Sequence, residues 1–240
     1  MISVCLATYN GSAYIEAQLR SVLEQLSHED EVVVADDGSS DETISIVNAV
    51  GDPRIKVVAT GGKLGVIKNF ERALLASRGG SIFLCDQDDV WLPGKVEQCL
   101  AALRSHLLVV TDCKVVDSQL NEIAPSFFRL RNSGSGMVHN LWKNSYLGCC
   151  MAFRRELLEY ALPFPQGIPM HDMWLGMIAE TKGRVFFLAS PLLLYRRHAL
   201  NASETARESS ASIVRMLADR IALGSLVAWR VLANMTGKAR

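Results

Sequence analysis

Four short apolar runs alternate with segments of helical spacing over the first 105 residues of this 240-residue chain. In the segment 12–26, for example, the apolar side chains recur every three or four positions. Continuous apolar runs are typical of strands buried on both faces of a parallel sheet. The runs are residues 2–8, 31–35, 55–59 and 81–85. The pattern predicts an α/β fold with one Rossmann-like, mostly parallel sheet flanked by helices.

Polar clusters follow three of these runs directly. They are Thr8–Gly11, Asp36–Asp41 and Asp86–Asp89. Ligands of parallel α/β sheets bind beyond the carboxyl ends of the strands. We therefore expect the three clusters to meet at one edge of the sheet and to form a binding site there.

Charge and cysteine usage exclude several classes of protein. Lys plus Arg and Asp plus Glu both number 25, so the basic excess of a nucleic-acid-binding protein is absent. The six cysteines form no C-x-x-C pair and several lie in apolar runs, which favours free, buried thiols in a reducing compartment. The N-terminus is predicted to be a first strand rather than a signal peptide. These observations favour a cytoplasmic location.

The strongest chemical signal is the acidic turn Asp86-Gln87-Asp88-Asp89. Three neighbouring carboxylates repel each other unless solvent or a cation compensates them. Oxygen ligands suit Mg²⁺ or Mn²⁺, which in turn bind diphosphate oxygens. A solvated acidic turn with a helix cap is the alternative, but the position at a strand end favours a metal site.

The other clusters each allow a structural and a functional interpretation. Asp37 is either part of a turn or an acceptor for a base N–H or a ribose hydroxyl. Asp172 is either a helix cap or a general base. Trp174 either packs in the core or lines an acceptor groove, and His198 is either structural or a metal ligand.

The second half of the chain is less regular. Residues 125–140 are predicted to form a long loop, of the kind that often acts as a lid. Residues 205–236 are predicted to form a C-terminal helix. This helix either packs on the domain or on a second subunit, or lies on the cytoplasmic membrane face, which Arg215, Arg220, Arg230 and Trp229 would permit.

Taken in order, these segments resemble the family 2 glycosyltransferases, which have the GT-A fold. The matching segments are an apolar strand followed by T-Y-N-G, then D-D-G-S-S-D, K-L-G-V-I-K-N-F-E, F-L-C-D-Q-D-D-V-W, and H-D-M-W followed by Y-R-R-H. The resemblance covers about residues 1–200. The D-Q-D-D-V-W form is similar to enzymes of bacterial O-antigen, capsule and other surface-polysaccharide synthesis, including rhamnosyltransferase-like members.

The resemblance implies a role for each matching residue. It implies nucleotide binding by Thr8, Tyr9, Asn10, Asp36, Asp37, Lys68, Asp86 and Gln87. It implies that Asp88 and His198 bind Mn²⁺ or Mg²⁺, and that Asp172 is the catalytic base. Asp89, His171 and Trp174 would contact the acceptor or support the site. The chain departs from the commonest family form at Lys63, where asparagine is usual, and at His171, where glutamate is usual.

The implied activity is inverting transfer of a sugar from a UDP-sugar or dTDP-rhamnose to a hydroxyl of a glycan or lipid-linked acceptor. Residues 1–204 would form the catalytic domain, with a nucleotide-binding half (1–105) and an acceptor half (106–204), and residues 205–240 a helical extension. A metal-dependent nucleotidyltransferase is disfavoured because TYNGSAY lacks a glycine-rich phosphate loop. A non-catalytic binding domain of the same fold remains the other alternative.

Overall fold

The computed structural model of the protein describes residues 1–58, 61–197 and 213–236, without the side chains of 213–219. One mixed sheet forms its centre. Its strands are β1 (Ile2–Thr8), β2 (Glu31–Asp36), β3 (Ile55–Val58), β4 (Ser81–Asp86), β5 (Val90–Trp91), β6 (Leu108–Val116), β7 (Glu122–Ala124), β8 (Met151–Arg154) and β9 (Val185–Arg196). Their order is β3-β2-β1-β4-β8-β6-β9-β5, with β7 paired to β6.

The direction of the strands changes between the two halves of the chain. Strands β3, β2, β1 and β4 are mutually parallel, as the apolar runs predict. Strand β8 then pairs antiparallel with both β4 and β6, and β6 pairs in parallel with β9. The carboxyl ends of β1, β2 and β4 consequently lie side by side, and strands from the second half of the chain extend the sheet beyond β4.

Helices cover the sheet. They are α1 (Ile15–Leu23), α2 (Thr43–Ala49), α3 (Val66–Ala76), α4 (Lys95–Leu103), α5 (Phe127–Arg131), α6 (Met137–Trp142), α7 (Glu156–Ala161), α8 (His171–Glu180) and α9 (Ile213–Met235). Helix α1 shows why these segments form. Its buried apolar residues Ile15, Leu19 and Val22 recur at helical spacing and face the sheet. All six cysteines are free and buried, as their apolar surroundings predict.

Two predictions for the second half are wrong in detail. Residues 125–140 are not an irregular loop, because Ser126 caps the short helix α5 through a hydrogen bond from Arg129 N, and α6 follows. The two closing strands expected at 184–188 and 191–196 form the single strand β9, which pairs with β6 over its whole length despite two irregularities in register.

The C-terminal segment is helical as predicted over the part that is described, Ile213–Met235. Helix α9 packs against α7 and α8. None of the helices in the described ranges combines the length and the apolar character that crossing a bilayer requires.

Candidate active site

Hydrogen bonds join the loop after β1 to the loop after β2. The backbone N of Asn10 donates to Ser39 Oγ (2.8 Å), and the backbone N of Ser40 donates to Asn10 Oδ1 (2.9 Å). Asn10 has a φ of 50°, a left-handed conformation that asparagine tolerates better than most residues. The structure thus confirms that these two polar clusters lie at one edge of the sheet, which we call the rim.

Gln87 joins the loop after β4 to the same rim. Its Oε1 accepts hydrogen bonds from Thr8 Oγ1 (2.6 Å) and the backbone N of Tyr9 (2.9 Å), and its Nε2 donates to the Tyr9 carbonyl (3.1 Å). A Cβ on Gly11 would overlap the amide of Gln87, so glycine at this position leaves room for the hydrogen bonds of Gln87. Gln87 and Thr8 therefore hold the loops together, and their contact with a nucleotide stays a prediction.

Asp36 accepts hydrogen bonds within its own turn. It is only 1% exposed, and its Oδ2 accepts hydrogen bonds from the backbone N of Gly38 (3.0 Å) and Ser39 (2.9 Å). Its Oδ1 accepts a further hydrogen bond from Ser39 Oγ. Because both oxygens accept hydrogen bonds within its own turn, Asp36 shapes the loop, and its contact with a nucleotide stays a prediction.

Asp37 bridges the rim to the segment that leads into α3. Its two carboxylate oxygens accept hydrogen bonds from the backbone N of Leu64 (2.7 Å) and Gly65 (2.9 Å). This segment also carries Lys63, whose Nζ lies 5.5 Å from the centroid of the Tyr9 ring. Tyr9 is 39% exposed, so it offers an aromatic face at the rim that a nucleotide base could stack on.

The acidic turn after β4 brings carboxylates into a poorly solvated place. Burial raises the pKa of Asp86 to about 8, and the negative charges of Asp88 and Asp172 add to the effect. Burial also raises the pKa of Asp89 well above its ordinary value, with contributions from Asp88 and Asp86. A cation at this place would favour the ionised carboxylates and lower both pKa values.

The donor atoms present fit a hard divalent cation. One ligand atom each from Asp86, Asp89 and Cys149 lie within 4.8 Å of one another. Asp89 Oδ2 is buried and has no hydrogen-bond partner in the described parts of the chain, which is an unusual state for a carboxylate. Burial raises the pKa of Cys149 well above its ordinary value, so its sulfur is a neutral thiol and the oxygens are the natural ligands.

Strand β9 fixes the acidic turn from the other side. The backbone N of Arg196 donates to Asp89 Oδ1 (3.0 Å), and Arg196 Nε donates to the Asp88 carbonyl (2.7 Å). The Arg196 guanidinium also lies 4.6 Å from the centroid of the Tyr14 ring. Asp89 therefore orients the turn, as the sequence suggested. Asp88, the favoured metal ligand, lies outside the group of three ligand atoms, although its side chain belongs to the same turn.

Asp172 lies at the start of α8 and faces the acidic turn. Its Oδ2 accepts a hydrogen bond from the backbone N of Gly148 (3.1 Å), and its Oδ1 accepts one from the backbone N of Met173 (2.6 Å). Burial raises its pKa to about 6. A carboxylate with this pKa is ionised at neutral pH and basic enough to accept a proton.

His171 supports the same corner. It is 4% exposed, and its ring stacks on Phe70 with 4.0 Å between the centroids. Burial lowers its pKa to about 3, so the imidazole is neutral. A Cβ on Gly148 would lie 3.1 Å from His171 Nε2, so this glycine lets the loop approach both His171 and Asp172.

Three further predicted residues lie away from the rim or outside the described ranges. Trp174 is fully buried and its Nε1 donates to the Ala161 carbonyl (3.0 Å), so it packs in the core and cannot contact an acceptor. Lys68 Nζ pairs with Glu71 Oε2 (2.5 Å), and its nucleotide contact stays a prediction. His198 falls in a segment that the structure does not describe.

Another cleft, of about 650 Å³, opens at the opposite edge of the sheet. Its lining includes Met1, Ile2, Asp30 and Glu97. Asp30 has a structural role in this cleft, because its Oδ1 accepts a hydrogen bond from the backbone N of Ile2 (2.7 Å). The convergence of carboxylates therefore places the candidate active site at the rim.

Asn69, the last residue of the matching segment K-L-G-V-I-K-N, was given no role from the sequence. It is 2% exposed, and its Nδ2 donates to the carbonyl oxygens of Ala35 (2.8 Å) and Thr8 (3.4 Å), which pins the ends of β1 and β2. The matching segment marks the position, but only the folded structure shows which carbonyl groups the side chain reaches.

Comparison with known proteins gives a family match and several similar proteins. The model of the family described as glycosyl transferase family 2 matches residues 3–161. The dTDP-rhamnosyl transferase RfbG of Shigella flexneri is 26% identical over 82% of this chain and 72% of its own. An Escherichia coli protein, UDP-Glc:alpha-D-GlcNAc-diphosphoundecaprenol beta-1,3-glucosyltransferase WfgD, is 26% identical over 75% of this chain and 70% of its own.

Solved structures share the fold. The structure of S. aureus TarS 1–349 with UDP-GlcNAc has a TM-score of 0.71 at 22% identity, over 96% of this chain and 66% of that one. Glucosyl-3-phosphoglycerate synthase of Mycobacterium tuberculosis with Mn²⁺, UDP and phosphoglyceric acid has a TM-score of 0.60 at 21% identity, over 92% and 78%. At these identities the likeness establishes the fold alone.

Proposed function

The chain belongs to glycosyl transferase family 2 and has the GT-A fold, and from this premise we propose a specific reaction. The protein transfers one sugar from a UDP-sugar or dTDP-rhamnose to a hydroxyl of a glycan or lipid-linked acceptor, with inversion at the anomeric carbon. Relatives named for a dTDP-rhamnosyl and a UDP-glucosyl transfer support these donors. The second of these names includes a diphosphoundecaprenol acceptor, which supports a lipid-linked acceptor. We propose that the reaction belongs to O-antigen, capsule or other surface-polysaccharide synthesis.

One observation carries the proposal: carboxylates from the two halves of the chain converge at the rim. Asp172 opens a helix of the acceptor half, yet its charge helps to raise the pKa of Asp86 in the nucleotide half. Folding therefore brings the Asp172 carboxylate near the acidic turn, which supports its assignment as the base beside a diphosphate site. This is the arrangement that sugar transfer from a nucleotide donor requires.

The donor would lie across the ends of β1, β2 and β4. The exposed ring of Tyr9 supports stacking with the base. The edge of the base would lie near Asp37, which holds the loop that contains Leu64. Asn10 lies between these two and contributes to the shape of the rim. These roles follow the family pattern on matching residues.

A divalent ion, Mn²⁺ or Mg²⁺, would be held by the turn Asp86–Asp89, with Asp88 and Asp86 as the preferred oxygen ligands and His198 as a further candidate. Such an ion neutralises charge that develops on a departing diphosphate. The unpartnered Asp89 Oδ2 and the raised pKa of Asp86 support its presence. The Mycobacterium tuberculosis structure of this fold contains Mn²⁺ together with UDP.

Asp172 would accept the proton of the acceptor hydroxyl. The acceptor oxygen then forms a bond to the anomeric carbon from the face opposite the nucleotide, and the bond to the diphosphate breaks with its electron pair leaving on the diphosphate oxygen. Gly148 and Met173 hold the carboxylate by their backbone N–H groups and keep it oriented. Asp172 finally carries the proton that the hydroxyl has lost.

We further propose that residues 1–204 are the catalytic domain, with a boundary between donor and acceptor halves near residue 105, and that residues 205–240 are an appended helical segment. The position of β8 supports this boundary, because it links the parallel strands of the first half to β6 and β9. The packing of α9 on α7 and α8 supports its role as an extension.

The test measures donor binding and turnover separately in three variants. Thermal shifts with a panel of UDP-sugars and dTDP-rhamnose, with and without Mn²⁺, identify the donor, since a ligand that prefers the folded state raises its stability. Asp172→Asn should keep the donor-induced shift and lose turnover. Asp88→Ala should lose the Mn²⁺-dependent part of the shift. Glu97→Gln, an exposed carboxylate at the opposite edge of the sheet, is the matched control and should behave like the unaltered protein.

Other outcomes favour the alternatives. Release of pyrophosphate from a nucleoside triphosphate would indicate a nucleotidyltransferase. Tight donor binding without transfer or hydrolysis under any metal condition would indicate a binding domain. Normal turnover by Asp172→Asn would refute the proposed base.

A further inference from the structure

Helix α9 turns its charge inward. Arg230 is 3% exposed, and its guanidinium donates hydrogen bonds to the carbonyl oxygens of Leu162 (2.9 Å) and Pro163 (2.5 Å), just beyond α7. Leu223 and Val227 are buried on the same side. These contacts hold α9 against α7 and α8 and use the only charged residue between positions 221 and 236.

The opposite side of α9 is apolar and exposed. Ile221 is 70% exposed, Trp229 56%, Leu232 63% and Met235 78%. We call these four residues the outer face of α9. A helix on the surface of a protein normally presents charged side chains to water and apolar ones to the core. Between positions 221 and 235 of α9 the charged residue is inside and large apolar residues are outside, which is a sign of an interaction surface.

Helix α6 lies beside α9 and has the same character. Val138 is 82% exposed and Trp142 is 70% exposed. The sequence between 125 and 155 contains no Asp or Glu, although it contains Arg129, Arg131 and Lys143. Residues 220–240 also lack acidic side chains and include four Lys or Arg. The chain is neutral as a whole, whereas each of these two segments has a net positive charge.

We propose that the outer face of α9, together with α6, rests on the surface of a lipid bilayer with anionic headgroups. The apolar side chains reach the boundary of the acyl chains, and the two exposed tryptophans occupy the interface that tryptophan prefers. The exposed Arg129 and Lys143, which flank the same face, pair with lipid phosphates. Helix α9 lies parallel to the membrane plane.

Charge selects the bilayer over a second copy of the chain. A two-fold dimer through this face would bring each basic segment close to its own copy. The segments 125–155 and 220–240 contain no carboxylates that could pair across such a contact. An anionic surface supplies the missing negative charge.

Helix α9 contacts the helix that carries the proposed base. Arg220 Nη1 lies 2.9 Å from Met173 Sδ, and Met173 directly follows Asp172. A lipid-linked acceptor in the bilayer could therefore present its hydroxyl near the proposed base. This geometric consequence rests on the proposed function, whereas the membrane binding itself does not.

The experiment uses the full chain and two kinds of vesicle, phosphatidylcholine alone and phosphatidylcholine with about 30% phosphatidylglycerol. Flotation should show at least about tenfold tighter binding to the anionic vesicles, with a large loss near 0.5 M salt, roughly where screening is short-ranged. The double variant Trp229→Glu/Leu232→Glu should lose about tenfold or more of this binding. Leu75→Glu, which changes an equally exposed leucine (68%) on α3, is the control and should bind normally.

A second measurement needs no variant. Trp91 and Trp174 are buried, so quenching of tryptophan fluorescence by brominated lipids reports on Trp142 and Trp229. Quenching on anionic vesicles supports the proposal. Absence of both flotation and quenching overturns it, as does a concentration-dependent dimer that the double variant dissociates while vesicles are ignored. Donor-induced thermal shifts, measured in parallel, report on the proposed function separately.

Discussion

Asp172→Asn should make the protein more stable at neutral pH while it abolishes transfer. Burial raises the pKa of Asp172 from 3.8 to about 6 in the folded protein. At a pH above this pKa the carboxyl is ionised in both states. Ionisation costs free energy only in the folded protein, where the group is buried, so it lowers the free energy of unfolding. A shift of about two pKa units corresponds to roughly 3 kcal/mol of lost stability at about pH 8.

The asparagine removes this cost but has a single acceptor oxygen. One of the two backbone N–H groups, from Gly148 or Met173, then loses its partner at a cost of about 1 kcal/mol. The net gain at about pH 8 is therefore roughly 2 kcal/mol. The gain shrinks as the pH falls toward 3.8, because the carboxyl is then protonated in both states. Between about pH 4.5 and pH 8 the difference should change by roughly 2 kcal/mol.

Urea unfolding of the unaltered protein and of Asp172→Asn at several pH values, with chelator present, measures this difference. Asp41→Asn is a control of opposite character. Burial acts to raise the pKa of Asp41, but hydrogen bonds from Thr43 and Ser12 outweigh it and lower this pKa to about 2. Its difference from the unaltered protein should stay nearly constant over this pH range. Parallel pH profiles for Asp172→Asn and the unaltered protein would refute the reasoning.

Three further predictions follow from single contacts. Trp174→Phe should lose roughly 2 kcal/mol of unfolding free energy, because the Ala161 carbonyl then loses the hydrogen bond from the indole N–H. Trp229 is exposed, so Trp229→Phe should be neutral in the same denaturant assay. Gly176→Ala should be destabilised by about 1–3 kcal/mol relative to Gly224→Ala, since its Cβ would lie 2.4 Å from the Tyr146 ring while the other meets nothing within 4 Å; equal stabilities would contradict this. The rate of transfer should fall below about pH 6 as Asp172 becomes protonated, and a pH–rate profile without this limb would remove Asp172 as the base.

The fold of the first half could be predicted because three of the four apolar runs, which form β1, β2 and β4, are buried and end at a polar turn. Strand β4, for example, is a run of apolar residues that stops at Asp86. Strand β3 is the exception, because its residues are half-buried or exposed at the edge of the sheet. The second half was harder. Helix α5 depends on a cap from Ser126, whose hydroxyl also donates to Asp112 Oδ2. Asp112 lies far from Ser126 in the sequence, so this contact does not appear in the hydrophobic periodicity.

Much of the candidate site could be predicted for the same reason, because parallel strands bring their carboxyl ends together. The individual role of each side chain could not. Asp36 and Asp37 are adjacent and chemically identical, but one closes its own turn and the other reaches Leu64 and Gly65. Burial decides the role of Trp174, and it results from the packing of α7, α8 and α9 together.

The hydrogen bonds at the rim have a thermodynamic consequence for recognition. Asn10 connects two loops, Gln87 connects two, and Asp37 connects two, so each bond closes a bridge between segments far apart in the chain. The entropy of arranging these loops is lost once, during folding, and does not have to be lost again when a ligand arrives. Substitutions at two of these bridges should consequently be non-additive, because the first one already loosens the framework on which the second one acts.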